Sequence, residues 1–435
     1  MWYIEHISLR GIIDSPVLRK TSFSDIVHNG DIVTDQTKLH QTYFDTTSLV
    51  KRVNLPANLK FNQIYGKAGA TPSDLIVSTR TDLLIEVPAT WLRRIPKHLF
   101  KEIISKHHVL ITDFEDGGMF INNELCEYLI SLRTMPKKTI YHLTSSTLLN
   151  DVPHLNLKHI HVPYWIVNHG TVAYTHYKHN IAEHVDLIAN SKYENKLLFL
   201  NFKPRLYRMK SLIALANRGV LDESGVDWSL INLAPGVENP VPCRSDIQFS
   251  MDNTVTEEIH QQNYAHLTSA ETQQYHEFMS RYTLPKYHTP ANNIIQSWLP
   301  AESDFASYQW NYAVETHYGN EFPLRYNMGT ASFMTEKTYK GFTQASMPVI
   351  LCAGDTNKYL TDQGFLLDNM PFSATVNQVE KFEQVIDFID RIVQDDIKPD
   401  VDKLIHNFKH ITDIEHTAKV FTHCLENLSD VIDGQ

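Results

Sequence analysis

The sequence predicts an α/β fold of two similar-sized domains, each built on a mainly parallel sheet. Three observations carry this expectation. Short runs rich in β-branched residues alternate with segments of helical period, the pattern of strand–helix–strand units. The alternation is interrupted once, by a polar stretch ending in Ala189–Asn195 (ANSKYEN). The chain has 435 residues, which suits two domains at roughly 100–200 residues each. The division is placed at residues 1–190 and 191–435.

In the first domain the expected strands are Asp74–Ser78 (DLIVS), Val109–Asp113 (VLITD), Thr139–Leu143 (TIYHL) and His159–Val162 (HIHV). Phe120–Leu132 carries apolar residues at Phe120, Ile121, Leu125, Leu129 and Leu132, close to helical spacing. Val167–Lys196 is polar and rich in His, Asn and Lys, and its end reads as a linker. Leu197–Phe202 (LLFLNF) opens the second domain as a buried strand. A helix follows over Leu206–Arg218, with Leu206, Met209, Leu212, Ile213 and Ala216 on one face. Trp228–Leu233 is a weaker strand. Pro235–Pro300 is irregular apart from a polar helix from Val255 to Tyr282. Asn311–Thr316 and Pro348–Cys352 read as strands, and Lys337–Ala345 and Asp355–Gln363 as helices. The tail, Val376–Leu428, is helical by period with a break at Lys398-Pro399.

The balance of 39 Lys+Arg against 50 Asp+Glu, a net charge of −11, excludes a global basic field for nucleic acid. A local strip such as Trp91–His98 (WLRRIPKH) reads as an exposed basic loop or as a nucleic-acid contact. Cys126, Cys243, Cys352 and Cys424 form no CxxC pair, which removes zinc-ribbon and thioredoxin-type chemistry and fits a reducing compartment. Glu5, His6 and Arg10 break any signal-peptide core, and no apolar run approaches the ~18–20 residues of a membrane span. The expected location is the cytoplasm. His169, His176, His179 and His184 cluster without a carboxylate at metal-site spacing and read as a surface loop. The usual ATPase, dehydrogenase, serine-hydrolase and zinc-protease motifs are missing.

Two α/β domains joined near residue 190 form a cleft, and ligands of open α/β sheets sit beyond the carboxyl ends of strands. Four constellations lie there. Asn201-Phe202-Lys203-Pro204-Arg205-Leu206-Tyr207-Arg208 sets three cations at a strand-to-helix turn, where Lys203, Arg205 and Arg208 suit phosphate oxygens or solvent. Glu315 leaves a buried strand and either caps a turn or binds a hydroxyl. Thr335-Glu336-Lys337 starts a helix, with Thr335 as cap. A Lys in a first turn opposes the helix dipole, a conflict that a bound phosphate removes; an exposed Glu-Lys pair on a surface helix is the rival reading. Asp113-Phe114-Glu115-Asp116-Gly117-Gly118 sets three carboxylates after a strand. Their repulsion can lift one pKa toward general-base range, and a solvated acidic turn or divalent-cation site is the rival reading.

The order strand–NFKPRLYR, YAVET, TEKTYKGF, PVILCAG and Asp362-Gln363-Gly364-Phe365 resembles the donor half of the α-1,3-fucosyltransferase family, over roughly residues 196–370. It resembles still more a group of bacteriophage-encoded glycosyltransferases related to that family. The resemblance implies the GT-B architecture, two Rossmann-like domains facing across a cleft, with a carboxy-terminal domain that binds a nucleoside-diphosphate sugar (UDP- or GDP-sugar). By position, Glu336 would hold the ribose while Lys337 and Arg205 neutralise the diphosphate, with no obligatory metal. An inverting reaction needs an acceptor-side base, for which Glu115 is the first candidate and Asp113 the next. The implied acceptor is a hydroxymethylated base in phage DNA, in a host cytoplasm. Transfer to polysaccharide or lipopolysaccharide, or nucleotide-sugar binding without turnover, are the alternatives. No membrane span is expected.

Overall fold

The computed structural model describes residues 1–8, 49, 51–61, 63–65, 69–89, 92, 94–113, 125–145, 151–201, 206–228, 267–282, 305–315, 334–352, 354–368 and 378–434. These fall into two compact units. The first takes the described residues of Met1–His179 and Ile411–Gln435, the second those of Asn180–Pro323 and Met334–His410.

The first unit holds a six-stranded, all-parallel sheet ordered β2-β1-β3-β4-β5-β6: β1 Trp2–His6, β2 Leu59–Phe61, β3 Leu83–Pro88, β4 His108–Asp113, β5 Ile140–Thr144 and β6 Leu157–His161. Strands β3 to β5 are buried at every position, as expected of parallel strands covered on both faces. The core gathers Leu83, Ile85, Val87, Val109 and Ile111 with Phe100, Ile103 and Ile104 of helix α2 (Lys97–Lys106). Three buried carboxylates lie on the strands, Glu5 on β1, Glu86 on β3 and Asp113 at the end of β4. Glu5 accepts the main-chain N–H groups of Ile64 and Tyr65 at 2.7 and 3.1 Å.

Two expectations are corrected here. Asp74–Ser78 is not a strand; it falls in helix α1 (Pro72–Val77) and its C-cap. Thr71 and Asp74 form a reciprocal capping box, with Pro72 in the first turn, and this outweighs the β-branched Ile76–Val77. Of the four histidines read as a surface loop, only His179 lies exposed in a turn; His169, His176 and His184 lie in helices. Helix α4 (Tyr164–Tyr177) is buried from Tyr164 through Ala173, His169 included. Some of its polar groups bond within the helix: Asn168 donates to the Tyr164 hydroxyl, and Thr171 to the Val167 carbonyl. Helix α3 (Leu125–Ser131) lies within the expected helical segment.

The second unit holds a four-stranded parallel sheet ordered β10-β9-β7-β8: β7 Asn195–Phe199, β8 Val226–Trp228, β9 Tyr308–Val314 and β10 Met347–Leu351. Helix α5 (Ile181–Asn190) precedes β7. Helices α6 (Leu206–Asn217), α7 (Ser269–Arg281), α8 (Glu336–Thr343), α9 (Thr356–Asp362), α10 (Gln378–Gln394) and α11 (Val401–Ile411) follow in chain order. Trp310 of β9 packs edge-on against Phe388 of α10 and donates to the Ile397 carbonyl.

The last helix, α12 (Ile414–Asp433), belongs to the first unit. Arg52 donates to Glu415 at 2.6 Å, Asn58 to Ser429 at 2.7 Å and Trp2 to Asp433 at 3.2 Å. Among the described residues no helix is long and apolar enough to cross a membrane.

Candidate functional site

In the second unit the strand order reverses between β7 and β9, since β8 lies on the far side of β7 and β10 on the far side of β9. Such a reversal opens a crevice beyond the carboxyl ends of the two strands. Asn201 lies just past β7 and Glu315 just past β9, both buried. The Glu315 main chain donates to the Leu351 carbonyl at 3.0 Å, tying the end of β9 to that of β10.

The Glu315 carboxylate grips the start of α8. One oxygen accepts the Thr335 N–H at 2.9 Å and the Thr338 hydroxyl at 2.6 Å; the other accepts the Thr335 hydroxyl at 2.7 Å. A carboxylate at a helix amino terminus also meets the favourable end of the dipole. The Thr335 hydroxyl in turn accepts from the Lys337 N–H at 3.4 Å and from Lys337 Nζ at 2.9 Å. Lys337 Nζ lies 2.6 Å from Glu336 Oε1, and both side chains are partly exposed. So Glu315 and the distant run Thr335-Glu336-Lys337 form one connected group.

Arg208 lies in the first turn of α6 and is almost wholly buried. Its Nε and Nη2 donate to the Val314 carbonyl at 3.2 and 3.1 Å, holding α6 against the end of β9. Lys203 and Arg205 lie outside the described residues.

Several motif residues have packing roles. A Cβ on Gly341 would come within 3.3 Å of Asn311 Nδ2 and Pro348 Cβ, so glycine lets α8 lie close on β9 and β10. Gly364 has φ +90° and closes α9. Its N–H reaches the Thr361 carbonyl and the Phe365 N–H the Leu360 carbonyl, a Schellman end that needs the left-handed conformation. Phe365 then stacks on Phe342 with centroids 4.2 Å apart. Sequence reasoning passed over Lys381 of α10. Its buried ammonium donates to the carbonyls of Cys352 and Gly354 at 2.7 and 2.8 Å, and burial lowers its pKa.

In the first unit, Asp113 ends β4 and is buried, while Glu115 lies outside the described residues. Beside Asp113 is a group that the sequence did not single out. His142 Nε2 lies 3.4 Å from Asp113 Oδ2, and His142 Nδ1 lies 3.0 Å from His159 Nδ1. Burial, reinforced by His142, pushes the His159 pKa down to about 3, so its ring is neutral. Burial also holds His161, at the end of β6, down to about 4. Among the described residues no three His, Cys, Asp or Glu side chains are arranged to hold a metal ion.

No family model, curated protein or solved structure matches the chain.

Proposed function

We propose that the chain is a glycosyltransferase of GT-B architecture, moving a sugar from UDP or GDP to an acceptor hydroxyl. The observation that carries this reading is the Glu315 clamp on Thr335 and Thr338, at the strand-order reversal of the second unit. It fixes a helix start that carries Lys337, where main-chain N–H groups and the ammonium suit a diphosphate. Glu336 offers a carboxylate to ribose hydroxyls, as acidic residues do in dinucleotide folds. The sequence adds Lys203 and Arg205 between β7 and α6.

In the reaction the acceptor oxygen bonds to the anomeric carbon as the carbon–oxygen bond to the diphosphate breaks, and the bonding pair leaves with the diphosphate. Glu115 or Asp113 takes the hydroxyl proton, and the cations stabilise the leaving group without an obligatory metal. The proposed acceptor is a hydroxymethylated base in phage DNA, acted on in the host cytoplasm.

A thermal-shift screen of UDP-, GDP-, CMP- and dTDP-sugars tests the donor. A ligand at about 100 times its Kd adds about 2.7 kcal/mol to folded stability. One UDP- or GDP-sugar is expected to raise the melting temperature. Transfer to hydroxymethylated duplex DNA should follow, at a rate that EDTA leaves unchanged. Stabilisation by none of the four overturns the reading. Stabilisation without transfer to DNA or glycan leaves a nucleotide-sugar-binding protein.

A further inference from the structure

The first unit carries a polar chain across three adjacent strands that the donor site does not use. Strand register sets Ile111 of β4 opposite His142 of β5, and His142 opposite His159 of β6. Asp113 is two residues past Ile111 and so shares its face. Replacing such a chain by apolar side chains would remove the cost of burying it. The chain reaches Asp113 at the carboxyl end of β4, the end where ligands of parallel sheets bind.

We propose that His142 and His159 are positioning residues that hold Asp113 as the base, an assignment that rests on the glycosyltransferase reading. Two ring nitrogens 3.0 Å apart must share one proton. If His142 supplied it, a neutral His142 would turn a lone pair at Nε2 toward the Asp113 carboxylate. If His159 supplies it from Nδ1, His142 receives it at Nδ1 and carries its own proton on Nε2, toward Asp113 Oδ2. Only the second arrangement turns an N–H, rather than a lone pair, toward the carboxylate. His159 thus fixes the tautomer of His142, and His142 orients Asp113. Among the described residues no hydrogen bond engages either Asp113 oxygen: Oδ2 stands 3.4 Å from His142 Nε2, within reach of its N–H, and the other oxygen is left to receive the acceptor proton. The hydroxyl O–H bond breaks as the Asp113 O–H bond forms. A shared metal ion does not fit, because His142 presents opposite nitrogens to its two neighbours.

Nitrogen-15 NMR of the histidine-labelled full chain tests the proposed tautomers directly. His142 is expected to be protonated at Nε2 and His159 at Nδ1; the reverse tautomers overturn the proposal. In turnover, Asp113→Asn and His142→Phe should each lower kcat by at least ~10²-fold, in the range of general-base loss, with donor Kd unchanged. His142→Gln keeps an N–H near the position of Nε2 and should recover most of the loss. Wild-type kcat in His142→Phe would also overturn the proposal. The tautomer measurement needs no variant, so it decides the matter even if His142→Phe fails to fold. If the wild-type chain turns over no nucleotide-sugar, the glycosyltransferase reading fails, while the tautomers still report whether the chain exists.

Discussion

In the first unit β2, β1, β3 and β4 lie side by side in that order; in the second, β8, β7, β9 and β10 repeat the arrangement with the same parallel sense. The winding is shared, but the polar groups near the carboxyl ends are not. The second unit gathers a carboxylate, Glu315, held by two hydroxyls and a main-chain N–H, and a guanidinium, Arg208, held by a carbonyl. The first gathers Asp113 with two imidazoles. Hydroxyl and main-chain donors keep their charge across the pH range, whereas a buried imidazole such as His159 is neutral near pH 7 and takes up a proton only in acid. Winding decides where polar side chains can meet; the side chains decide whether the meeting point is a fixed brace or a titratable one.

The largest effect expected from breaking the brace is at Glu315. Glu315→Ala leaves the Thr335 N–H and the Thr335 and Thr338 hydroxyls buried without their acceptor. Bonds to a charged acceptor and orphaned buried donors together put the cost at about 3–5 kcal/mol. Because α8 starts at this clamp, donor affinity should fall by at least ~100-fold, the equivalent of about 2.8 kcal/mol. Thermal unfolding and nucleotide-sugar titration of the variant check both. Unchanged melting would mean that water replaces the carboxylate and that the second unit is no more fixed than the first.

Acid should separate the units in the opposite sense. Burial is the leading cause that lowers the pKa of His107, of His108 to about 4, of His159 to about 3 and of His161 to about 4, all in the first unit. Their unfolded value is about 6.5. A folded pKa below the unfolded one means that the unfolded chain binds the proton more readily. The stabilisation is therefore present above pH ~6.5 and is lost as pH falls toward ~4, by up to about 1.4 kcal/mol per pH unit for each histidine. Hydrogen exchange between pH 7 and 5 checks this: protection in β5 and β6 should fall before that in β9 and β10. Loss in the reverse order would break the contrast between brace and titratable group.

The brace was more legible in the sequence than the histidine chain, for a physical reason. A carboxylate leaving a buried run such as NYAV must find donors, and Thr335 at a helix start announces them; both readings use local pattern. Strands β4, β5, β7, β9 and β10 were legible because they are continuous apolar runs bounded by turns. Strands β1 and β3 were not, because Glu5 and Glu86 interrupt theirs, and nothing local says that Glu5 will meet Ile64 and Tyr65. Helix α4 reads as polar by letter because Asn168 and His169 are polar, yet Asn168 bonds within the helix. The Asp113–His142–His159 chain depends on how β4, β5 and β6 align, and a one-residue slip would turn the histidines to the other face. A constellation set by register leaves no mark on residue spacing along the chain.

The smallest effect separates two glycines, one helical in each unit. In α4, a Cβ on Gly170 would stand 2.3 Å from Thr417 Oγ1 and 3.2 Å from Thr417 Cγ2, on α12. Thr417 cannot turn aside freely, because its hydroxyl donates to the Asp413 carbonyl at 3.1 Å. In α8, the nearest atoms to a Cβ on Gly341 are at 3.3 Å. Both substitutions by alanine gain about 1 kcal/mol of helix propensity. Against that gain, Gly170→Ala meets an overpacking cost of about 1–3 kcal/mol, so it should be destabilising by up to about 2 kcal/mol. Gly341→Ala needs shifts of only a few tenths of an ångström and should fall within about 0.5 kcal/mol of neutral. Denaturant unfolding of the two variants, with Thr417→Ala added to Gly170→Ala, checks the difference. Recovery by the double variant assigns the cost to that one contact. Equal losses at the two glycines would show that α4 and α8 are packed with the same tolerance, and the two units would then differ in chemistry alone.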